Sequence, residues 1–138
     1  MQSEVTKSNL IAIRSMVEED RNFIFASWLR GLYYGDSWLS EVPKAIFMAH
    51  YHKVIDFILA KPATIVKIAC LQEDPSVILG YAVMSDVAIH WVFVKKNWRK
   101  IGIAKDLTPS NLTTATHSTK VGMSIMKRKN WVYNPFAI

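Results

Sequence analysis

Residues 92–104 read VFVKKNWRKIGIA and pass from an apolar strand pattern into a basic turn and then toward a helix. Val92 to Val94 supply the end of the strand, and Gly102 stands close to the start of the helix. The free N–H groups at a helix start attract anions. A glycine there lets an anion come close to the backbone, and the small Ala104 leaves the approach uncrowded. The segment therefore predicts a turn of backbone amides that holds a diphosphate.

Positive charge is concentrated in the same part of the chain. Residues 95–138 contain nine Lys and Arg residues and one acidic residue, Asp106, whereas residues 1–94 contain eight basic and ten acidic residues. Such a segment favours an anionic partner: nucleic acid, a phosphorylated cofactor or a membrane surface. The alternative is that the charge only keeps the protein in solution. Five cations lie in or beside the turn: Lys95, Lys96, Arg99, Lys100 and Lys105.

Length and composition limit the classes of protein that remain. The chain has 138 residues, of which 51% are hydrophobic, as expected for one globular domain, residues 1–138. A lone cysteine, Cys70, excludes an internal disulfide, and no Cys/His spacing resembles a structural zinc site, so no metal is expected. The first ten residues lack the pattern of a signal peptide, which favours the cytoplasm.

One apolar stretch, residues 76–94, requires a decision between a membrane span and two strands. Asp86 is its only formally charged residue and lies near its centre, where a carboxylate in a spanning helix costs roughly 2.5–3.5 kcal/mol. The stretch is also rich in Val and Ile. We interpret it as a hairpin that turns at Ser85-Asp86, and no membrane partner is expected.

Hydrophobic periodicity predicts alternating helices and strands over the rest of the chain. The order is β-α-α-β-β-β-α-β-α-β, which indicates an α+β fold, a mixed α/β sandwich with a mostly antiparallel central sheet and helices on both faces. The predicted strands are 10–14, 64–71, 77–84, 87–94, 112–116 and 131–133, and the predicted helices are 18–33, 43–61, 102–108 and 119–129.

The basic turn also carries a family signature. Arg99-x-x-Gly102-x-Ala104 follows an apolar strand, Trp98 precedes the arginine, and Gly80 lies inside the strand before. This pattern resembles the acetyl-CoA signature of the GCN5-related N-acetyltransferase (GNAT) superfamily. The element order is similar too, so the resemblance covers about residues 10–136. The small size and the tryptophan-rich first helix look most like compact members encoded by bacteriophages.

The resemblance implies an acyl-CoA N-acyltransferase fold that binds acetyl-CoA. It implies that the backbone of Val92, Phe93 and Val94 bonds the pantetheine arm like an added strand. The acetyl group would pass directly to an amine of a protein or a small molecule, with a backbone N–H near Val94 stabilising the tetrahedral intermediate. The amides that would hold the pyrophosphate belong to Arg99, Lys100, Ile101, Gly102, Ile103 and Ala104.

Departures from the family pattern keep other functions open. Lys96 replaces a common proline, and Met126 stands where many members place the tyrosine that protonates the leaving thiolate. A thioether cannot supply that proton, so a non-catalytic binding or inhibitory protein of the same fold is the main alternative. A nucleic-acid-binding module is less favoured, because Arg and aromatic residues do not alternate on one strand face.

Three side chains are candidates for proton transfer. His90 lies four residues before Val94, and strand alternation places it on the face of Ala88 and Val92, so it is a candidate general base. Tyr133 is a candidate acid displaced from the usual helix. His117 is a candidate for contact with the cofactor. For each, the competing interpretation is an ordinary packing or capping residue.

The aromatic loop YYGDSW, residues 33–38, is where family members admit the acceptor. Tyr33 and Tyr34 are candidates for contact with the acceptor, and Asp36 for attracting a cationic amine. Local packing of the aromatic rings is an equally good interpretation of this loop.

Overall fold

The computed structural model describes residues 7–36 and 38–138. In that part of the chain, single-turn helices join a set of longer elements. The helices are α1 (Arg21–Gly35), α2 (Lys44–Ala60), α3 (Ile103–Leu107) and α4 (Lys120–Lys129), and the strands are β1 (Ile11–Ser15), β2 (Thr64–Leu71), β3 (Ile78–Ser85), β4 (Ala88–Val94), β5 (Thr114–Ala115) and β6 (Val132–Tyr133).

These strands form one sheet in chain order, from β1 at one edge to β6 at the other. Neighbours from β1 to β4 are antiparallel, whereas β5 runs parallel to β4 and β6 runs parallel to β5. Parallel neighbours need a crossover, and α3 and α4 supply the two that occur here. The predicted α+β class, with a mostly antiparallel sheet, is confirmed.

Two apolar layers lie on opposite faces of the sheet. α1 and α2 cover one face with side chains such as Trp28 and Ile58, both fully buried. α3 and α4 cover the other with Leu107 and Met126. Helices therefore lie on both faces, as predicted, and the turn after β4 starts the crossover to the second layer.

The start of α1 differs from the prediction because Asp20 is used as an anchor. Residues 18–20 form a 3-10 turn, and the α-helix begins at Arg21 rather than at residue 18. The Asp20 carboxylate is buried and accepts hydrogen bonds from the Val17 amide at 2.8 Å and from the Arg14 guanidinium at 2.7 and 2.9 Å. The Arg14 guanidinium holds the pKa of Asp20 below its ordinary value. The acidic run therefore ties α1 to β1.

A β-bulge interrupts the pairing of β3 with β4. Val83 lies opposite Trp91 and Met84 lies opposite Ile89, so His90 is an extra residue on β4. The bulge breaks the alternation on which the sequence prediction relied. Ile89 and Val92 both pack toward the α3 layer, and Trp91 packs toward the α1 layer. Regular alternation from His90 to Val92, on which the prediction for His90 relied, therefore does not hold across the bulge.

Gly80 permits the close pairing that brings β4 into position. A Cβ at Gly80 would lie 2.5 Å from the Phe93 carbonyl oxygen and 3.2 Å from the Val94 Cα. We expect Gly80→Ala to lower the free energy of unfolding by about 1–3 kcal/mol, because backbone atoms must move to admit the methyl group. Urea denaturation measures the change. An unaltered unfolding midpoint would show that the two strands are not held this closely.

Candidate functional site

The short strand β5 pairs with only the N-terminal end of β4. Ala88 and Ile89 pair with Thr114 and Ala115, and the Thr116 amide donates the last bond to the Ile89 carbonyl at 3.1 Å. Beyond that point, no strand in the described ranges pairs with the outer edge of β4. The two strands therefore separate, and the C-terminal half of β4 has an open edge.

The open edge presents backbone groups of only two of the three predicted arm-binding residues. The Lys95 amide donates to the Leu79 carbonyl at 2.8 Å. Because residues of an antiparallel pair alternate between facing the partner and facing away, Phe93 directs its backbone groups to β3. Val92 and Val94 direct theirs to the open edge. The expectation for Phe93 is thus corrected: its backbone belongs to the sheet.

The turn that follows β4 curls its amides toward one side. Lys100 and Gly102 both adopt left-handed conformations, with φ of 66° and 93°. Left-handed residues beside right-handed ones direct successive N–H groups into a common concavity. Residues 99 and 100 form a hydrogen-bonded turn that closes on the Ile101 amide. Within the described ranges, the amides of Gly102, Ile103 and Ala104 donate to no backbone carbonyl, and the first bond of α3 runs from the Asp106 amide to the Gly102 carbonyl at 2.9 Å.

The concavity is open and electropositive. Gly102 is exposed, and a Cβ placed on it would meet no atom within 4 Å. Ile103, 3% exposed, anchors the far side of the turn in the core beneath α3. The space above Gly102 is therefore open to a ligand. Four exposed cations lie along the turn and the first residues of α3: Lys96, Arg99, Lys100 and Lys105.

Arg99 closes the turn from within. Its amide donates to the Lys96 carbonyl at 3.4 Å, and its Nε donates to the Val94 carbonyl at 2.8 Å. The prediction that the Arg99 amide faces an anion is therefore corrected. The Arg99 guanidinium is held against the end of β4, next to the concavity, and its positive charge adds to that of the neighbouring lysines.

His90 is buried at the point where β4 and β5 separate. It is 3% exposed, its Nε2 lies 2.7 Å from Ser85 Oγ, and its Nδ1 lies 2.9 Å from Thr116 Oγ1. Burial, helped by the charge of Lys61, lowers the pKa of His90 to about 4. Both ring nitrogens of His90 are thus hydrogen-bonded within the protein. His90 can act on an acceptor amine only through Ser85 or Thr116.

His117 and Tyr51 join His90 at this place. His117 Nδ1 lies 2.9 Å from Thr116 Oγ1, and His117 Nε2 is hydrogen-bonded to the Tyr51 hydroxyl. Burial, with a contribution from His90, lowers the pKa of His117 to about 4. Sequence reasoning did not single out Tyr51, because a tyrosine within an apolar helical pattern gives no sign of its partner. Ser85 and Thr116 were not singled out either.

Tyr133 lies apart from His90. It is 51% exposed on β6 and pairs with Ala115, so β5 lies between it and β4. With Met126 it lines a pocket of about 350 Å³ under α4. Met126 itself is buried in the α3–α4 layer, so the position of the usual tyrosine is filled by a packing residue.

The predicted acceptor loop is partly helical, because Tyr33, Tyr34 and Gly35 form the end of α1, and it contains both buried and exposed side chains. Tyr33 is buried and donates its hydroxyl to the Val42 carbonyl at 2.8 Å, so it holds the loop in place and does not face an acceptor. Tyr34 is exposed, and the Lys44 ammonium lies 3.1 Å from its hydroxyl. Asp36 accepts a hydrogen bond from the Trp38 amide at 3.3 Å. Of the predicted acceptor residues, Tyr34 is thus the most exposed.

Residues 7–36 and 38–138 hold neither a candidate metal site nor a candidate membrane-spanning helix. No cluster of three or more His, Cys, Asp and Glu side chains is arranged to hold a metal ion there. None of the helices in those ranges combines the length and apolar character needed to cross a membrane.

Comparison with solved structures identifies the fold. A protein from Pyrococcus furiosus assigned as an acetyl transferase superposes with a TM-score of 0.59 and 16% identity, over 70% of this chain and 68% of that chain. A GCN5-related N-acetyltransferase from Kribbella flavida superposes with a TM-score of 0.51 and 13% identity, over 73% and 62%. This chain thus spans about two thirds of each. No family model and no curated protein sequence matches.

The fold of this chain is therefore the GNAT fold. The identities are too low to define more than the fold.

Proposed function

We propose that this chain binds acetyl-CoA and transfers the acetyl group to an amine of a protein or a small molecule. The amide concavity at Lys100–Ala104 carries the proposal. The concavity is open above Gly102, and exposed cations surround it. Its backbone amides supply the hydrogen-bond donors, and the cations supply the positive charge, that a diphosphate needs. It also lies directly after the open edge of β4, so one extended ligand can contact both.

Each part of the ligand has a counterpart in the chain. The amides of Lys100, Gly102, Ile103 and Ala104 hold the diphosphate, whereas the Ile101 amide closes the turn before them. The backbone groups of Val92 and the amide of Val94 bond the pantetheine arm along the open edge, as a strand would. The Val94 carbonyl already accepts a hydrogen bond from Arg99 Nε at 2.8 Å. Acetyl-CoA supplies an activated acyl carbon whose thiol leaves readily. The residues of the chain orient the arm and exclude other polar partners from that edge.

A non-catalytic binding protein of the same fold is the second candidate. The buried Met126 favours it, because the side chain at the usual acid position has no proton to give. Both candidates bind acetyl-CoA, and release of CoA in the presence of a panel of amines separates them. Nucleic-acid binding is the third and weakest candidate; salt-sensitive duplex binding that acetyl-CoA does not affect would favour it.

Acetyl-CoA should raise the thermal midpoint of unfolding. At a hundredfold excess over its dissociation constant, a ligand stabilises the native state by about 2.7 kcal/mol, which corresponds to roughly 10 °C for a domain of this size. Acetyl-pantetheine, which lacks the diphosphate, is the matched control and should give a much smaller shift. No shift with millimolar acetyl-CoA would exclude both the enzyme and the acyl-CoA-binding alternative.

The bacteriophage origin and the cytoplasmic location inferred from the sequence stay predictions, as does the identity of the acceptor amine.

A further inference from the structure

Five side chains from four parts of the fold form one continuous line of hydrogen bonds. The line begins at the end of β3, crosses β4 and the residues after β5, and ends on α2. Its lengths are 2.7 Å for Ser85 Oγ to His90 Nε2, 2.9 Å for His90 Nδ1 to Thr116 Oγ1, and 2.9 Å for Thr116 Oγ1 to His117 Nδ1. The last bond joins His117 Nε2 to the Tyr51 hydroxyl. We call these five side chains the relay.

The chemistry of the relay allows two opposite polarisations. Each hydroxyl has one proton to donate and each neutral imidazole has one N–H and one acceptor nitrogen. The Thr116 hydroxyl also has a longer contact, 3.5 Å, with the Ile89 carbonyl. When its proton turns to a histidine instead, all four bonds can run from Tyr51 toward Ser85, or all four from Ser85 toward Tyr51. Passing between the two arrangements takes in one proton at one end and releases one at the other. No charge is left on the groups between.

The surroundings keep the relay neutral. Trp28 and Trp91 stack with their ring centroids 5.8 Å apart, and His117 meets the Trp28 ring edge-on at 5.6 Å. Burial holds the pKa of both histidines at about 4, so both are neutral near pH 7. The charged group that acts on His90 is Lys61, at the end of α2, and it acts in the same direction.

The position of the relay ties it to the proposed reaction. His90 and Thr116 meet where β4 and β5 separate, next to the last bond between those strands. The edge proposed to hold the pantetheine arm begins two residues further along β4. Tyr51 is half-buried, and Phe47 stacks on it with ring centroids 5.3 Å apart. The Phe47 ring also contacts Tyr33, at the end of α1, in a tilted arrangement with centroids 5.1 Å apart. The Tyr51 end of the relay therefore lies near the end of α1, where the stretch proposed to admit the acceptor begins.

We propose that the relay removes a proton from the acceptor amine. This proton enters the relay at the Tyr51 hydroxyl, and a different proton leaves the relay from Ser85 to water. This inference rests on the proposed acetyl transfer. As the amine nitrogen bonds to the acetyl carbon, the carbon–sulfur bond breaks and its electron pair leaves with sulfur. The nitrogen gives one proton to Tyr51 Oη, and Ser85, beside the exposed Asp86 turn, releases one. After the reaction the relay has the opposite polarisation. It returns to its first polarisation when Ser85 takes up one proton from water and Tyr51 releases one to water.

Thr116 is the position at which the relay can be cut with the least change in shape. Thr116→Val removes the central hydroxyl, and Thr116→Ser keeps it. With an amine found active in the panel, we expect Thr116→Val to lower kcat at least about tenfold. The dissociation constant of acetyl-CoA, measured by calorimetry, should change less than about twofold. Thr116→Ser should restore most of kcat. Thr113 is exposed and lies three residues before Thr116, so Thr113→Val is the control and should behave as wild type.

Tyr51→Phe gives a second test that does not disturb the buried centre. It keeps the stacked ring and removes the terminal hydroxyl, and kcat should fall by a similar factor. The dependence of kcat on the deuterium content of the solvent should be curved in wild type and linear in Tyr51→Phe, since a structural role would not alter that shape. If Thr116→Val and Tyr51→Phe both keep kcat within about twofold, the relay is wrong. Binding of acetyl-CoA without turnover of any amine would overturn the relay and leave cofactor binding intact.

Discussion

Gly102→Val is expected to weaken acetyl-CoA binding roughly a hundredfold or more. The valine side chain would occupy the open space above Gly102, where nothing lies within 4 Å of a Cβ. A diphosphate could then no longer approach the amides of Gly102 and Ile103. Two lost charge-assisted hydrogen bonds of about 1.5 kcal/mol each correspond to that factor. Calorimetric titration with acetyl-CoA measures the effect directly.

Backbone strain must be separated from blockage in this experiment. With φ at 93°, valine at position 102 is strained and should also lower the stability of the free protein, by roughly 1–2 kcal/mol. Gly102→Asn tolerates a left-handed conformation better and still places a side chain in the opening. Both variants should lose affinity, and the valine variant should lose more stability. If Gly102→Asn binds as wild type does, the diphosphate is held elsewhere.

The amide turn could be predicted because its determinants are local. Apolar residues that end at Val94, cations, and a glycine before a helix all lie within thirteen consecutive residues. The left-handed conformations of Lys100 and Gly102 then follow from a tight entry into α3. What the sequence did not indicate was the bond from Arg99 to the Val94 carbonyl, since either an inward or an outward guanidinium satisfies the same pattern.

The orientation of His90 could not be predicted because one extra residue on β4 changes it. Strand alternation assumes a regular ladder, and the bulge opposite Val83 and Met84 is a property of the pair of strands. The relay was hidden for a similar reason. Its members lie at positions 51, 85, 90, 116 and 117, and only the fold brings them together.

The aromatic loop shows the limit of composition as a guide. Tyr33 and Tyr34 are neighbours of the same type, yet one is 8% exposed and the other 64%. Helical geometry turns adjacent residues to different sides, so the buried position fell to Tyr33 and the exposed one to Tyr34. The sequence analysis predicted that both tyrosines contact the acceptor, whereas the Tyr33 hydroxyl donates a hydrogen bond to the Val42 carbonyl.

Acidification from pH 7 to pH 4.5 is expected to lower the free energy of unfolding by about 3–5 kcal/mol. Burial lowers the pKa of His90 and of His117 to about 4, while a histidine in the unfolded chain takes up a proton near pH 6.5. Between these values the unfolded chain binds more protons than the native state. Stability is therefore full above about pH 6.5 and is lost as the pH falls toward 4, by about 1.4 kcal/mol per pH unit and per histidine.

Urea denaturation at a series of pH values measures this slope, and glutamine variants assign it. Gln does not titrate, so the double variant His90→Gln/His117→Gln should show a nearly flat stability between pH 6.5 and 4.5, although it is less stable at pH 7 because the relay bonds are lost. His50→Gln, an exposed histidine of α2, is the control for removing an imidazole. The Asp20 carboxylate, whose pKa Arg14 lowers, adds its own loss only at more acidic pH. Equal stability of the wild-type protein at pH 7 and pH 4.5 would mean that the two histidines are not held neutral, and the relay could not then run without charge.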